Sequence, residues 1–531
     1  MKRTIFSLLL LLIAFTASSS IFEVDGLWYE ITTDNTVTLI AQRSDDGAQL
    51  SFKIYYEGDV TIPETVNYEG QQYTVTAVEE GTFRNSAKLT SVTIPATVTS
   101  LGEMPFVSCV RLSTINLSEE NPSYSLFDGV LYDKDFTTLI ACPGARQEEV
   151  SVHSSATTIS PSAFQGCTSL TSVTLSAGIQ QIGADAFNGC KKITSVNIPY
   201  GVTAISDGLF ANCTSLQRVN IPKTVTVVGD KAFYQCSKLT AINLPNSVKK
   251  IGNSAFSLCS VLAAVSLLDG LCEIGTRAFE NCTKLTAVDI PASVTTIAPQ
   301  AFYGCTALQT IAVDGENEVY ASVDGALLDK AQTTLICCPA GKIGDYVVPS
   351  TVTAIEDDAF YLCKYLDSII LPANLESVGN QSFRLCNRLT TIALPPSVQV
   401  MGENVFSSCQ ALESILIYAP LPPVITSSTF TADNKDLPLY VTEASLDTYK
   451  DDEYWKEFNT ILPITDEVVS GMKGDTNDDG VVNITDLMQT VNHVIGIEIP
   501  GFRWQMGDVN HDAFITIADV MTIVNIIIGQ E

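Results

Sequence analysis

Two stretches near the end of the chain hold the densest set of metal-ligating side chains in the sequence: "GDTNDDGVVNITD" at 474–486 and "GDVNHDAFITIAD" at 507–519. In the first, Asp475, Asn477 and Asp479 take positions one, three and five of a loop in which Val481 offers a backbone carbonyl at seven, Asn483 stands at nine and Asp486 at twelve. Asp508, Asn510, Asp512, Phe514, Thr516 and Asp519 occupy the same positions in the second. Oxygen-only ligands at this spacing suit calcium, a hard cation. The copies lie 33 residues apart and repeat Gly, Asp, Asn, Asp and the twelfth-position Asp in register. An acidic surface loop without an ion is the alternative reading, and duplication in register argues against it. Position six requires a turn with positive φ, which Gly480 adopts freely, whereas Ala513 stands there in the second loop. The spacing predicts two calcium ions, with the second site weaker.

A helix is expected after each loop to hold it. Leu487, Val491, Val494 and Ile495 form one apolar stripe, and Val520, Ile523, Val524 and Ile527 form the other. Catalytic chemistry finds little support elsewhere. The chain has three His, namely His153, His493 and His511, and no nucleophile motif, phosphate loop, dinucleotide fingerprint or paired-His zinc motif. Its carboxylates are so numerous that any pair could be nominated as acid and base, so abundance selects none. No catalytic residue is expected. With 59 acidic against 29 basic residues and a formal charge of -30, the surface repels phosphate backbones, which argues against a nucleic-acid partner.

Most of the chain is a repeat. Cys167, Cys190, Cys213, Cys236, Cys259, Cys282 and Cys305 fall 23 residues apart, and Cys363, Cys386 and Cys409 resume the period. Twelve Phe residues from Phe83 to Phe406 mark the copies, each followed by an alternating stretch such as "LTSVTL", where Leu170, Val173 and Leu175 face inward and Ser172 and Thr174 outward. One such unit cannot bury its apolar face alone; stacking neighbours buries it, which gives a solenoid of parallel ladders. Two gaps of 58 residues, one between Cys109 and Cys167 and the other between Cys305 and Cys363, each hold a matching 35-residue insertion, expected to project as a hairpin rib. Equivalent cysteines in a parallel stack point the same way, which does not suit a disulfide torsion, so the ladder thiols are expected free and buried. Cys272, Cys337 and Cys338 have no evident place. The outward strand position runs Thr174, Asn197, Asn220, Asn243, Ser266, Asp289, then Ala312, Ile370, Ala393 and Leu416. The amide-rich part reads either as a self-bonded Asn ladder or as a binding surface, and the apolar end as a patch covered by the closing segment.

At the N-terminus, Lys2 and Arg3 precede an apolar run and then small residues, the pattern of a secretory signal peptide cleaved near Ala17 to Ser20. No later stretch is apolar for long enough to span a bilayer. The protein is expected to be exported, extracellular or at the bacterial cell surface, with no direct membrane insertion.

The unit "IGADAFNGCKKITSVNIP" resembles the BspA-type leucine-rich repeat of bacterial surface proteins, over residues 83–417. The start, "FEVDGLWYEITTDNTVTLIA", resembles the N-terminal cap of such arrays, and "LYVTEASLDTYKDDEYWKEFNTI" their closing element, with Trp455 and Phe458 over the last repeat. The duplicated loop and helix resembles a type I dockerin module. The organisation these imply is a signal peptide (1–20), a β cap (21–82), a solenoid (83–417) with insertions near 118–152 and 314–348, a second cap (418–465), a linker (466–473) and a small α-helical calcium-binding dockerin-like domain (474–531). The resemblance further implies adhesion through a protein or glycan ligand on the solenoid, and attachment to a cohesin-like domain through the tail. Ile484 and Thr485 in one copy, and Ile517 and Ala518 in the other, fall where dockerins select partners. The runner-up reading is an accessory, non-catalytic or carbohydrate-binding component of an extracellular polysaccharide-degrading complex.

Overall fold

The computed structural model describes residues 21–41, 55–147, 149–465, 468, 473–477, 481–497, 499 and 502–528. The expected signal peptide, Asp479 and Gly480 lie outside the described residues. The chain divides into two compact units, 1–170 and 171–531. In the first, Ile21–Val24, Leu27–Thr33 and Thr36–Ile40 form an antiparallel start to a sheet that continues through Gln71–Val78 and Thr65–Tyr68. Phe22 stacks on Tyr68 at 4.1 Å, and the Tyr56 hydroxyl donates to the Ile40 carbonyl at 2.8 Å. This aromatic lid covers apolar surface that the first coil would otherwise expose. A parallel ladder of Gly58–Thr61, Leu89–Ile94 and Thr114–Leu117 follows, with Val60 opposite Val92 and Val92 opposite Ile115.

In the second unit every regular coil has three seams. One strand pairs in parallel with its neighbour, as Ser195–Asn197 does with Arg218–Asn220. A second, two-residue strand continues through Ala204–Ile205, Val227–Val228, Lys250–Ile251, Glu273–Ile274 and Thr296–Ile297. The third seam is the turn around Phe: the Phe210 amide donates to the Ala232 carbonyl at 2.8 Å, and the Asn212 amide to that of Tyr234 at 2.7 Å. A coil closes on itself in 23 residues only by turning sharply twice. The residue two before each Phe and the residue before each Cys are accordingly left-handed; Lys231 and Gln235 have φ of 54° and 59°.

Phe187, Phe210, Phe233, Phe256, Phe279 and Phe302 form one continuous stack with centroids 5.1 to 5.7 Å apart. The ladder cysteines are free and buried. They do more than fill space. The Cys213 thiol donates to the carbonyl of Phe187 at 3.1 Å, and Cys236 and Cys259 do the same to Phe210 and Phe233. The Phe187 carbonyl already accepts from the Cys190 amide of its own turn at 3.1 Å, and the thiol of the next coil supplies its second donor. Cys272 is exposed.

The insertions correct the rib expectation. In 314–348, Tyr320–Val323 and Ala326–Asp329 form a short hairpin, but Thr334–Cys337 returns to the second ladder beside Ala354–Ile355, and Gly344–Val347 to the first beside Leu366–Ile370. The segment is therefore one more coil of the solenoid with a hairpin added. Cys338 and Pro339 replace its Phe turn, and their carbonyls lie 3.6 and 3.8 Å from the Cys363 thiol. The physical reason is the seam: a rib that stood clear would leave two ladders unpaired. Asn317, fully buried, sets the hairpin's start by donating to Pro291 and Val294 and accepting from the amides of Val319 and Tyr320. At the far end, Pro438–Val441 and Thr460–Pro463 extend the ladder past Ser414–Ile417. Trp455 and Phe458 cover the stack through Phe430, and the Trp455 indole donates to the Pro423 carbonyl at 2.9 Å.

Close stacking makes some glycines obligatory. A Cβ on Gly252 would lie 2.6 Å from the backbone nitrogen of Asp230 in the coil before, whereas one on Gly315 would meet nothing within 4 Å. Gly252→Ala is expected to lower stability by about 1–3 kcal/mol in denaturant unfolding, with Gly315→Ala within about 0.5 kcal/mol of the parent. The thiols give a second test. Burial pushes Cys213 and Cys259 up to about 12, so at mild pH their reactive thiolate is scarce. Alkylation of the native protein should label Cys272 and spare the ladder, while alkylation in denaturant without reductant should label all fifteen cysteines. A disulfide between Cys190 and Cys213 would contradict this account.

Candidate calcium loops and docking face

The second tail loop is described throughout. Asp508 is buried, and its carboxylate accepts from the amides of Asp512 at 3.1 Å and Ala513 at 2.9 Å. The Asn510 side chain accepts from the same Asp512 amide, and the Asp512 carboxylate from the amide of Phe514. Thr516 caps the helix Ile517–Ile527, and Asp519 accepts from the Thr516 amide at 2.8 Å. Ala513 holds φ of 75°, the left-handed conformation that position six demands. One carboxylate oxygen of Asp519 is buried without any partner among the described residues. Burial, together with the charges of Asp519 and Asp512, pushes the Asp508 carboxyl up to about 7. A divalent cation bound in this loop would relieve the repulsion of these carboxylates and use the unspent acceptor.

The first loop is built alike where it is described. Asp475 is buried, Asn477 is half-buried and the Val481 side chain is exposed. Asn483 caps the helix Ile484–Val494. The fully buried Asp486 accepts from the amides of Thr476, Asn477 and Asn483 at 2.9, 3.2 and 2.9 Å. Backbone bonds tie the two halves together, from the Gly474 amide to Met506 and from the Arg503 amide to Thr476. The two helices lie against each other, and Ile523 on the second is fully buried. The apolar stripe of the first helix is shorter than expected. Val494 and Ile495 are exposed, because the chain turns away at Gly496, φ 79°, before a second helix can cover them. Ile484 and Met488 on one helix, and Ile517 and Met521 on the other, are also exposed, at equivalent positions in the two copies.

The tail rests on the solenoid. Trp504, in the short helix Trp504–Gly507 between the two loops, is 2 % exposed. Its indole donates to the Leu371 carbonyl at 2.9 Å, and its ring meets Tyr418 edge-on at 4.6 Å. Leu416, Tyr418, Ile464 and Ala513 are buried in the same cluster, with Phe502 and Ile515 beside them. The closing segment was expected to cover the apolar end of the outward ladder. Ile464 contributes, but Leu416 is buried against the tail, a larger apolar body placed over the same face. Trp504 escaped the sequence reading. A tryptophan between two polar loops, one of three in the chain, was the signal available. A cleft of about 670 Å³ lies beside this contact, with Asp345 and Val347 on one wall and Ile497 and Phe502 on the other. His493 stacks on Phe502 at 4.7 Å, and burial holds it below the usual imidazole range.

Along the rest of the outward ladder, Asn197, Asn220, Asn243, Ser266 and Asp289 are exposed. Asn197, Asn220 and Asn243 stand on adjacent or near-adjacent coils in parallel register, and among the described residues their amide side chains form no hydrogen-bonded ladder. The self-bonded reading therefore fails, and the amides face solvent. Among the described residues no three His, Cys, Asp or Glu side chains converge as a metal cluster. No described helix is long and apolar enough to cross a membrane.

The chain matches the BspA type leucine-rich repeat region over residues 62–132, 141–259, 226–322 and 337–439, and the dockerin type I domain over 473–528. Both are recognition modules rather than catalysts. Similar solved structures include a leucine-rich repeat protein from Bacteroides ovatus, 25% identical over 84% of this chain and 100% of that one, TM-score 0.44. A leucine-rich cell surface protein from Faecalibacterium prausnitzii is 22% identical over 87% and 97%, TM-score 0.33. The pneumococcal vaccine antigen PcpA is 19% identical over 84% and 99%, TM-score 0.34. No curated protein matches. With repeats of this type over most of its length and a dockerin type I tail, the chain belongs to the BspA-type leucine-rich repeat family.

Proposed function

We propose that this is an exported recognition and adhesion protein of the bacterial surface or its surroundings. The solenoid binds a protein or glycan ligand, and the tail holds two calcium ions and attaches the whole to a cohesin-like partner. The observation that carries the tail's role is the recurrence of exposed apolar side chains, Ile484 with Met488 and Ile517 with Met521, at equivalent places on the two helices. Large apolar residues left in water in register mark a contact surface. For the solenoid, the column of solvent-facing amides at Asn197, Asn220 and Asn243 supplies paired donors and acceptors at the coil spacing. Those groups suit peptide backbones and sugar hydroxyls alike. The first calcium would be held by Asp475, Asn477, Asp479, Asn483, Asp486 and the Val481 carbonyl. The second would be held by Asp508, Asn510, Asp512, Thr516, Asp519 and the Phe514 carbonyl. The ion neutralises the clustered carboxylates and so completes the fold of the tail.

Calorimetric titration of the full chain is expected to resolve two calcium sites. Ala513→Gly should tighten the weaker one about five-fold, by relieving about 1 kcal/mol of left-handed strain. Two equal sites, indifferent to that change, would contradict the assignment. Attachment has its own test. Ile484→Asp combined with Ile517→Asp should release the protein from the producing cells into the medium, and chelator should do the same to the parent. Retention of the double variant at parental levels would show that the tail is not the tether. Ligand class is read from a glycan array run beside a pull-down of host proteins. Loss of the winning signal in Asn220→Ala would place the contact on the amide column, and glycan-only binding would favour the accessory role in a polysaccharide-degrading complex.

A further inference from the structure

We infer that the docking of the tail on its own solenoid and the filling of the second calcium loop are one coupled equilibrium, so that the apolar end of the outward ladder acts as a receptor for the chain's own tail. The inference rests on the calcium reading above. Leu416 occupies a strand position that faces away from the core, between the inward Ile415 and Ile417, yet it is only 2 % exposed. Trp504 and Ala513 lie in the cluster that covers it. Both belong to the second loop's frame. Ala513 is that loop's position six, and its amide donates to Asp508 at 2.9 Å. Trp504 opens the short helix whose next turn is Asp508, and the Asp508 amide donates to the Trp504 carbonyl at 2.8 Å. Position six is thus pressed on the solenoid from outside and bound to the first ligand from inside.

A loop that must hold Ala513 left-handed to receive an ion is easier to hold when Ala513 is already packed. By linkage, whatever factor docking adds to calcium affinity at this loop, calcium adds to docking. Among its described residues the first loop shows no such tie to that cluster. Its described residues from 475 to 486 contribute nothing to the cluster with Leu416 and Tyr418. The solenoid therefore selects one of two similar loops and raises it.

The test uses the full chain throughout. Leu416→Asn places on the docking face the residue that other coils carry at the same outward position, so the solenoid itself should fold unchanged, checked by its thermal transition. Calcium titration by calorimetry should then show one site weakened about five-fold or more and the other unchanged. Trp504→Phe, which keeps a ring but loses the bond to Leu371, should weaken the same site to a smaller extent. Acrylamide quenching of the parent's tryptophan fluorescence should rise on chelation, and that rise should vanish in Trp504→Phe. Unchanged affinities in Leu416→Asn overturn the coupling while leaving the calcium reading intact. Equal weakening of both sites overturns the assignment to the second loop. A parent that binds no calcium overturns both this inference and the reading it rests on.

Discussion

Parallel stacking in register governs this molecule. Each coil turns most of its strand donors and acceptors along the stack, where its neighbours satisfy them, while its tight turns close on bonds of their own. Three seams, two strand ladders and the Phe turn, carry those bonds. The remaining features answer to that constraint. Gly252 is bare because the preceding backbone passes where a side chain would begin. The cysteines recur because a small buried thiol at that place can give the Phe carbonyl of the preceding coil a second donor, beside the amide of its own turn. The insertions keep to the ladders because leaving them would break two seams at once.

Stacking also creates the two surfaces on which function depends. Inward positions are consumed by the core, and outward positions are left as aligned columns whose chemistry can change coil by coil without disturbing the fold. Amides occupy the middle of one column, and small or apolar residues occupy its end. The first region faces water and the second is taken by the tail. The same backbone geometry thus leaves one region of the column open to the proposed ligand and seats the chain's own tail on another.

Much of this was legible in the sequence, because period and spacing report repetition directly. The coil length, the buried thiols, the Trp455 and Phe458 cover and the loop positions of Asp508, Asp512 and Asp519 could all be read from residue type and interval. What stayed hidden depends on backbone that side-chain identity does not record. Lys231 and Gln235 are left-handed although neither residue type announces it; the need to close a coil sets their conformation. The extra coil within 314–348 was masked because Cys338 and Pro339 stand where Phe marks the others. The resting place of Trp504 joins residues 133 positions apart in sequence to Leu371, a distance over which no local pattern carries information.

The seating of Trp504 has a mechanical consequence. A pull delivered through a partner on the tail does not reach the solenoid only by way of the chain that follows Ile464. Part of the load enters sideways, across the coils that carry Leu371 and Leu416, and is spread over several parallel hydrogen-bonded rungs in shear. A stack of coils without covalent cross-links is weakest when peeled from its end, one rung at a time. By bearing on the flank, the tail spares the Trp455 cap from peeling, and the attachment should outlast forces that would unwind the same solenoid if it were held by its terminus alone.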